Sequence, residues 1–208
     1  VDRRWSRGNN DWRSMTTQNS LSFPSSRIFA SRPRERWFGL PSSMLIILAF
    51  YVALTLILVF IAPFPSQVDE LQHLSVVRAQ FEHPTLFPDW ASQLILRPDD
   101  LTRWSADANY INHPSLYYLL LAPIYAFTSN PIIFRLFNVL LSAAALTIVL
   151  VAANRRFTPD ILPPQLFAIL VISFPKTAVV GSMVNNDNLA ALAAAALFGG
   201  ILGLPRQG

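Results

Sequence analysis

Five apolar stretches punctuate the chain, and their lengths set the first expectations. Residues 39–62 run for 24 residues without a charge, more than the ~20 that cross a bilayer as a helix. A cleaved leader has a shorter apolar core, ~7–15 residues, followed by small residues. Here the run ends in Pro63-Phe64-Pro65, which predicts a retained anchor. Residues 132–153 (22 residues) and 161–184 (24 residues, with Pro163, Pro164, Pro175 and Lys176 inside) are also of spanning length. Residues 189–204 (16 residues) suffice once their flanks are counted. The fifth stretch, 115–128, has 14 residues and contains Pro123. At ~1.5 Å per residue it reaches about 21 Å as a helix, short of a ~30 Å hydrocarbon core.

That short segment decides the topology. If it spans, Arg155 and Arg156 fall outside the cell and Asn185–Asn188 inside. If it lies at the interface, the Arg-rich N-terminal region, Arg155-Arg156 and Arg206 share the cytoplasmic side, and the polar loop 63–131 shares the other side with Asn185–Asn188. The excess of Lys and Arg in cytoplasmic loops favours the second arrangement. The expected organisation is a disordered basic cytoplasmic tail over 1–38, then a partial transmembrane domain over 39–208. Four spans, a long outer loop over 63–131 and a juxtamembrane helix over 115–128 make up that domain. The fold class is all-α integral membrane.

Composition agrees. Apolar residues make up 52% and charged residues 13%, against roughly 25% charged in soluble proteins. The net charge of +4 would suit a polynucleotide, but the charge is segregated. Residues 1–38 hold eight Arg and three acids; residues 63–114 hold three Arg and seven acids. Topology accounts for that asymmetry, and no nucleic-acid partner is expected. There is no Cys, so disulfides, zinc–thiolate sites and thiol chemistry are excluded. The chain begins with Val1 and ends at Gly208, and we expect a piece of a larger protein, inactive alone.

The candidate chemistry sits just beyond the membrane segments. Asp69, Glu70 and His73 open the loop, and on a helix Asp69 and His73 share a face. A carboxylate at a membrane surface can abstract a proton or hold a divalent cation; an acidic first helical turn is the plain structural role for the same residues. Asn185-Asn186-Asp187-Asn188 precedes an apolar segment. One Asn or Asp suffices as an N-cap, so four leave residues over for a site. Asp187, on the same side as Asp69, can share a hard cation with it (Mg or Mn). His113 precedes Pro114, Tyr117 and Tyr118, either an interfacial aromatic belt or an anionic headgroup contact. Arg135 can snorkel or pair with a loop acid or phosphate, and Arg78 can clamp phosphate. Lys176 lies deep in an apolar segment, where a charge implies function or a structural ion pair.

The order of these parts resembles the N-terminal portion of GT-C fold membrane glycosyltransferases, over roughly residues 40–204. It runs from a first span to Val68-Asp69-Glu70 with His73, then His113-Pro114-Ser115-Leu116-Tyr117-Tyr118, Arg135 opening a span, and Asn186-Asp187 before another. Protein O-mannosyltransferases and the aminoarabinose transferases acting on lipid A are the most similar groups. The resemblance implies a multi-span helix bundle and a hexosyl or pentosyl transferase. It would move a sugar from a polyprenyl-phosphate carrier to a protein, lipid or glycan acceptor, on the non-cytoplasmic face of a bacterial plasma (inner) membrane. It implies Asp69 and Glu70 as catalytic carboxylates and Asp187 as the second acidic position. His113, Arg135, Arg78 and Tyr117 would hold the donor phosphate, with His73, Asn186 and Lys176 nearby. Where the family pattern has a basic residue and two prolines, this chain has His113, Pro114 and Ser115. The rival classes are a transporter whose charges line a pathway, although no internal repeat is found, and a membrane scaffold whose polar clusters are helix caps.

Overall fold

The structure, a computed structural model, describes residues 36–37, 40–66, 69–157 and 162–203. Apart from Arg36 and Trp37, the tail expected over 1–38 lies outside the described residues, as do Val68, the start of the third expected span and Leu204. Two short antiparallel strands, β1 (Arg36–Trp37) and β2 (Leu40–Pro41), lead into helix α1 (Ser42–Ile61). The loop then folds into α2 (Glu70–Glu82), a 3₁₀ turn (Trp90–Ser92), the antiparallel strands β3 (Leu94–Arg97) and β4 (Asp100–Ala108), and α3 (Leu116–Tyr125). Four helices follow: α4 (Pro131–Arg156), α5 (Pro164–Ile172), α6 (Pro175–Ser182) and α7 (Asp187–Gly203).

The protein is mainly helical, and α1 and α4 are long and apolar enough to cross a membrane. Local chemistry sets the ends of α4. Asn130 caps it by accepting from the Ile132 N–H at 3.0 Å, Pro131 occupies the first turn where its missing donor costs nothing, and Arg155 and Arg156 complement the dipole at its last turn.

Two features add to the expected organisation. The stretch expected to form the third span comprises two helices, α5 and α6, that meet at 67°. Pro175 lacks the N–H that would continue the ladder and forces Phe174 into extended backbone (φ −67°, ψ 115°). The loop, in turn, is not purely helical. The β3–β4 hairpin turns through Pro98-Asp99, pairs Leu96 with Trp104, and docks on α2 where the Leu96 N–H donates to Ser75 Oγ at 2.8 Å.

Helices α1 and α4 run antiparallel. Met44, early in α1, shares an apolar cluster with Leu150, late in α4, while carbonyls at the end of α1 meet Arg135 at the start of α4. The link from α6 to α7 returns to that second end, since the Val184 N–H donates to Glu70. Asp69 and Asp187 therefore lie at one end of the bundle, and Arg155 and Arg156 at the other. A second cluster, including Leu74, Leu96, Tyr118, Leu121 and Phe134, packs α2, the hairpin and α3 onto the acidic end.

Gly181 marks the tightest crossing. A Cβ there would overlap the Tyr51 hydroxyl and lie 3.0 Å from Ser142 Oγ, so only hydrogen fits where α6 crosses α1 and α4. Gly181→Ala is expected to lower stability by about 1–3 kcal/mol through overpacking. The thermal midpoint in detergent checks this, with partial recovery when Tyr51→Phe deletes the atom that the methyl meets.

Candidate functional site

The site is built around an ion pair. Arg135 is 2% exposed and Glu70 is fully buried. Arg135 Nε and Nη2 donate to Glu70 Oε1 and Oε2, both at 2.7 Å. Nη1 donates to the carbonyls of Val59 and Ala62, and Nη2 also to that of Pro63, each at 2.9 Å. All five guanidinium N–H groups are thereby used. Glu70 accepts further bonds from the backbone N–H groups of Ser66 (3.2 Å) and Val184 (3.1 Å). Arg135, expected to hold phosphate, and Glu70, expected in catalysis, are thus each bonded to the other and to the backbone around them.

Asp69 faces the other way. It precedes the first turn of α2 in the left-handed conformation (φ 54°, ψ 26°), which Asp tolerates better than most residues. Although it stands at the N-cap, its side chain makes no capping bond. Its carboxylate instead accepts from the Tyr110 hydroxyl, a bond that raises the Tyr110 hydroxyl to about 12. Tyr110 belongs to a segment held to α2 by Asn109, whose Nδ2 donates to the Gln72 carbonyl at 3.0 Å.

Asp69 opens onto a cleft of about 990 Å³. Its polar lining comprises Ser66, Asp69, His73, His113, Lys176, Asn185, Asn186 and Asp187; Leu58, Val179, Val180 and Met183 form part of the apolar lining. A second, mostly apolar cavity of about 380 Å³ adjoins it, lined by Tyr51, Ala145, Leu146 and Val149 among others. Lys176, Val180 and Asp187 line both. Ser66 Oγ is buried without a hydrogen-bond partner in the protein.

The remaining predicted residues divide cleanly. His73 is 5% exposed, shares a 2.9 Å hydrogen bond with the Tyr118 hydroxyl, and stacks on His113 with ring centroids 5.7 Å apart. Burial, and then the neighbouring His113, push its pKa down to about 4 against the pull of Asp69. Tyr117 turns inward, pairing with the Asn138 amide at 2.8 and 3.0 Å. Arg78 lies toward the hairpin, bonded to Glu82 at 2.7 Å and 4.8 Å from the Trp104 ring centre. Neither of these two residues, expected to hold phosphate, lines the cleft.

The Asn185–Asn188 cluster splits as well. Asn188 Nδ2 donates to Asn138 Oδ1 and to the Val180 carbonyl, both at 2.9 Å, and Asn185 Nδ2 to the Val180 carbonyl at 2.8 Å. These amides close the α6–α7 turn onto α4, while Asn186 and Asp187 line the cleft without such bonds to α4.

Sequence reasoning missed Tyr110 and Ser66, which carry no periodicity or motif of their own; Tyr110 stands three residues before His113 and is recognisable only through the bond to Asp69. Among the described residues no group of three or more His, Asp or Glu is placed to hold a metal.

Removing one member of the buried pair leaves the other charged and unpartnered. Arg135→Met is expected to cost about 3–5 kcal/mol, and the double change Arg135→Met with Glu70→Leu to cost less. Thermal melts in detergent, compared across the cycle, test this. His73 gives a pH signature. Its folded-state pKa is depressed, so between pH 6.5 and about 4 the unfolded chain binds a proton that the fold rejects. The contribution is complete above pH 6.5 and is lost on acidification, by about 3 kcal/mol in all. The thermal midpoint should therefore fall less steeply between pH 7 and pH 4 in His73→Gln than in the wild type.

Compared with known proteins, the chain matches no family model, no curated protein and no solved structure.

Proposed function

We propose that the chain is the N-terminal part of a GT-C-like, multi-span membrane glycosyltransferase. It moves a hexosyl or pentosyl group from a polyprenyl-phosphate carrier to a protein, lipid or glycan acceptor. The observation that carries this reading is the pair of adjoining cavities. A polar cleft holding Asp69 shares Lys176 and Asp187 with an apolar cavity between the long helices, an arrangement suited to a ligand with an anionic head and a hydrocarbon tail. The charge distribution supports the orientation: Arg155 and Arg156 lie opposite the acidic end, so the cleft faces the non-cytoplasmic side of a bacterial plasma membrane with the N-terminus in the cytoplasm.

In this mechanism Asp69 accepts the proton of the acceptor hydroxyl or amine. The freed oxygen or nitrogen bonds to the anomeric carbon, and the bond from that carbon to the phosphate oxygen breaks. The electron pair leaves on the polyprenyl phosphate, whose charge Lys176 neutralises while His113, Asn186 and the unpartnered Ser66 hydroxyl donate hydrogen bonds. Tyr110 steadies the Asp69 carboxylate. A divalent cation bound through Asp69 or Asp187 would add positive charge at the same phosphate. Glu70, Arg135 and Tyr117 act only as framework.

A transporter is the second reading, favoured by the break between α5 and α6 beside Lys176, since discontinuous helices frame many transport sites. Sugar transfer in proteoliposomes holding the full-length protein separates the two. Asp69→Asn should lower transfer by roughly 10²–10⁴-fold while membrane insertion is unchanged, and Lys176→Met should raise the donor KM more than the acceptor KM. Wild-type turnover in Asp69→Asn removes Asp69 from the mechanism, and solute uptake with an untouched carrier favours the transporter.

A further inference from the structure

Between α2 and the 3₁₀ turn, the chain makes a short hook, Pro84-Thr85-Leu86-Phe87-Pro88. It carries Phe87, 90% exposed, and Leu86, 62% exposed. The hook is a built turn. The Thr85 N–H donates to Gln80 Oε1 at 2.9 Å and the Phe87 N–H to Thr85 Oγ1 at 3.2 Å, while a proline at each end removes the donors that would extend it into a helix or strand. Two large apolar side chains are thus held outward by design of the backbone, where water would disfavour them.

Its neighbours show what covers them. Ser115 Oγ, at the start of α3, donates to the Leu86 carbonyl at 3.0 Å. From there α3 presents Leu116 and Leu120, one turn apart and both exposed, and Phe127 is exposed just beyond its end. Pro131, four residues later, opens α4, a helix of membrane-spanning length and composition. Residues 84–88 and 114–131 contain no charged side chain, whereas the hairpin exposes Arg97, Asp99 and Arg103. The Ser115–Leu86 bond thus joins the charge-free hook to a charge-free segment that leads directly into α4, while the charged hairpin belongs to water.

We propose that Leu86 and Phe87 insert into the apolar edge of the bilayer interface, forming a second anchor that fixes the outer loop, and with it the cleft, at headgroup depth. The occupant is lipid. This rests on α4 crossing a bilayer and not on the transferase reading.

The absence of Cys makes the test direct. Single substitutions Phe87→Cys, Leu140→Cys on the exposed middle of α4 and Asp99→Cys at the hairpin tip are spin-labelled in the full-length protein in phosphatidylglycerol/phosphatidylethanolamine nanodiscs. Collision with oxygen, which concentrates in lipid, is compared with collision with a water-soluble nickel chelate. The expected result is a several-fold higher oxygen-to-nickel ratio at position 87 than at 99, with position 140 higher still. A ratio at 87 equal to that at 99 overturns the hook while leaving a lipid-facing 140, and hence the membrane reading, intact. A label at 87 shielded from both reagents also overturns it, because protein and not lipid then covers the hook. An aqueous ratio at 140 overturns the hook and the membrane reading together.

Discussion

The Glu70–Arg135 pair is the constraint on which the rest of the structure depends. The last turn of a helix leaves carbonyls without intrahelical partners, and at the apolar end of α1 water is scarce. Arg135 supplies those partners from another helix, taking the carbonyls of Val59, Ala62 and Pro63 and setting a positive charge against the negative end of the α1 dipole. That charge is tolerable only because Glu70 balances it, and Glu70 in turn reaches the backbone at Ser66 and Val184. One ion pair thereby fixes the end of α1, the start of α2, the start of α4 and the turn before α7. These are the segments that frame the cleft. Its desolvation cost is large, so its value lies in specifying this one convergence more than in net stability.

Neighbouring residues of similar chemistry have opposite duties around that convergence. Glu70 points in and builds; Asp69 points out into the cleft. Asp69 precedes the helix in the left-handed conformation, so its side chain does not follow the helical course that Glu70 begins. A similar division holds at the α6–α7 turn, where the amides of Asn185 and Asn188 bond to Val180 and Asn138, Asn185 still borders the cleft, and Asn186 and Asp187 face it. In both places the buried member holds the backbone rigid while its neighbour stays available to a ligand, as a preorganised site requires.

This pairing also explains what the sequence could reveal. The lengths of the α1 and α4 stretches, the shortness of α3 and the polar cluster before α7 were legible because apolar runs and caps are local signals. Asp69, His73, His113, Asn186 and Asp187 were legible as site candidates because each stood in a loop next to an apolar segment, and Lys176 because it is a charge within one; all six line the cleft. Which charges cancel was not legible. Glu70 and Arg135 lie 65 residues apart, and no local pattern distinguishes a buried pair from two free functional groups. Tyr117 was hidden the same way, its partner Asn138 lying on another helix. The hairpin escaped because β4 is mostly polar; its fold depends on Leu96 docking against Ser75, a tertiary contact. The bend at Pro175 was written in the sequence, but its angle of 67° was not.

That bend ties the fold to the proposed chemistry. Non-helical backbone at membrane depth is tolerated only where protein or a polar cavity satisfies it. The first turn of α6 has N–H groups without intrahelical acceptors, and the same turn carries Lys176, which borders both cavities. A straight α5–α6 helix would satisfy its own backbone but would carry Lys176 along one continuous apolar surface, with no polar cleft beside it. Breaking the helix there supplies a wall that is positively charged on its polar side and apolar behind. Gly181, the penultimate residue of α6, lets that wall lie close against α1 and α4. The break and the close crossing are thus two halves of one arrangement: one exposes the cation, and the other keeps the helix that bears it fixed against the bundle.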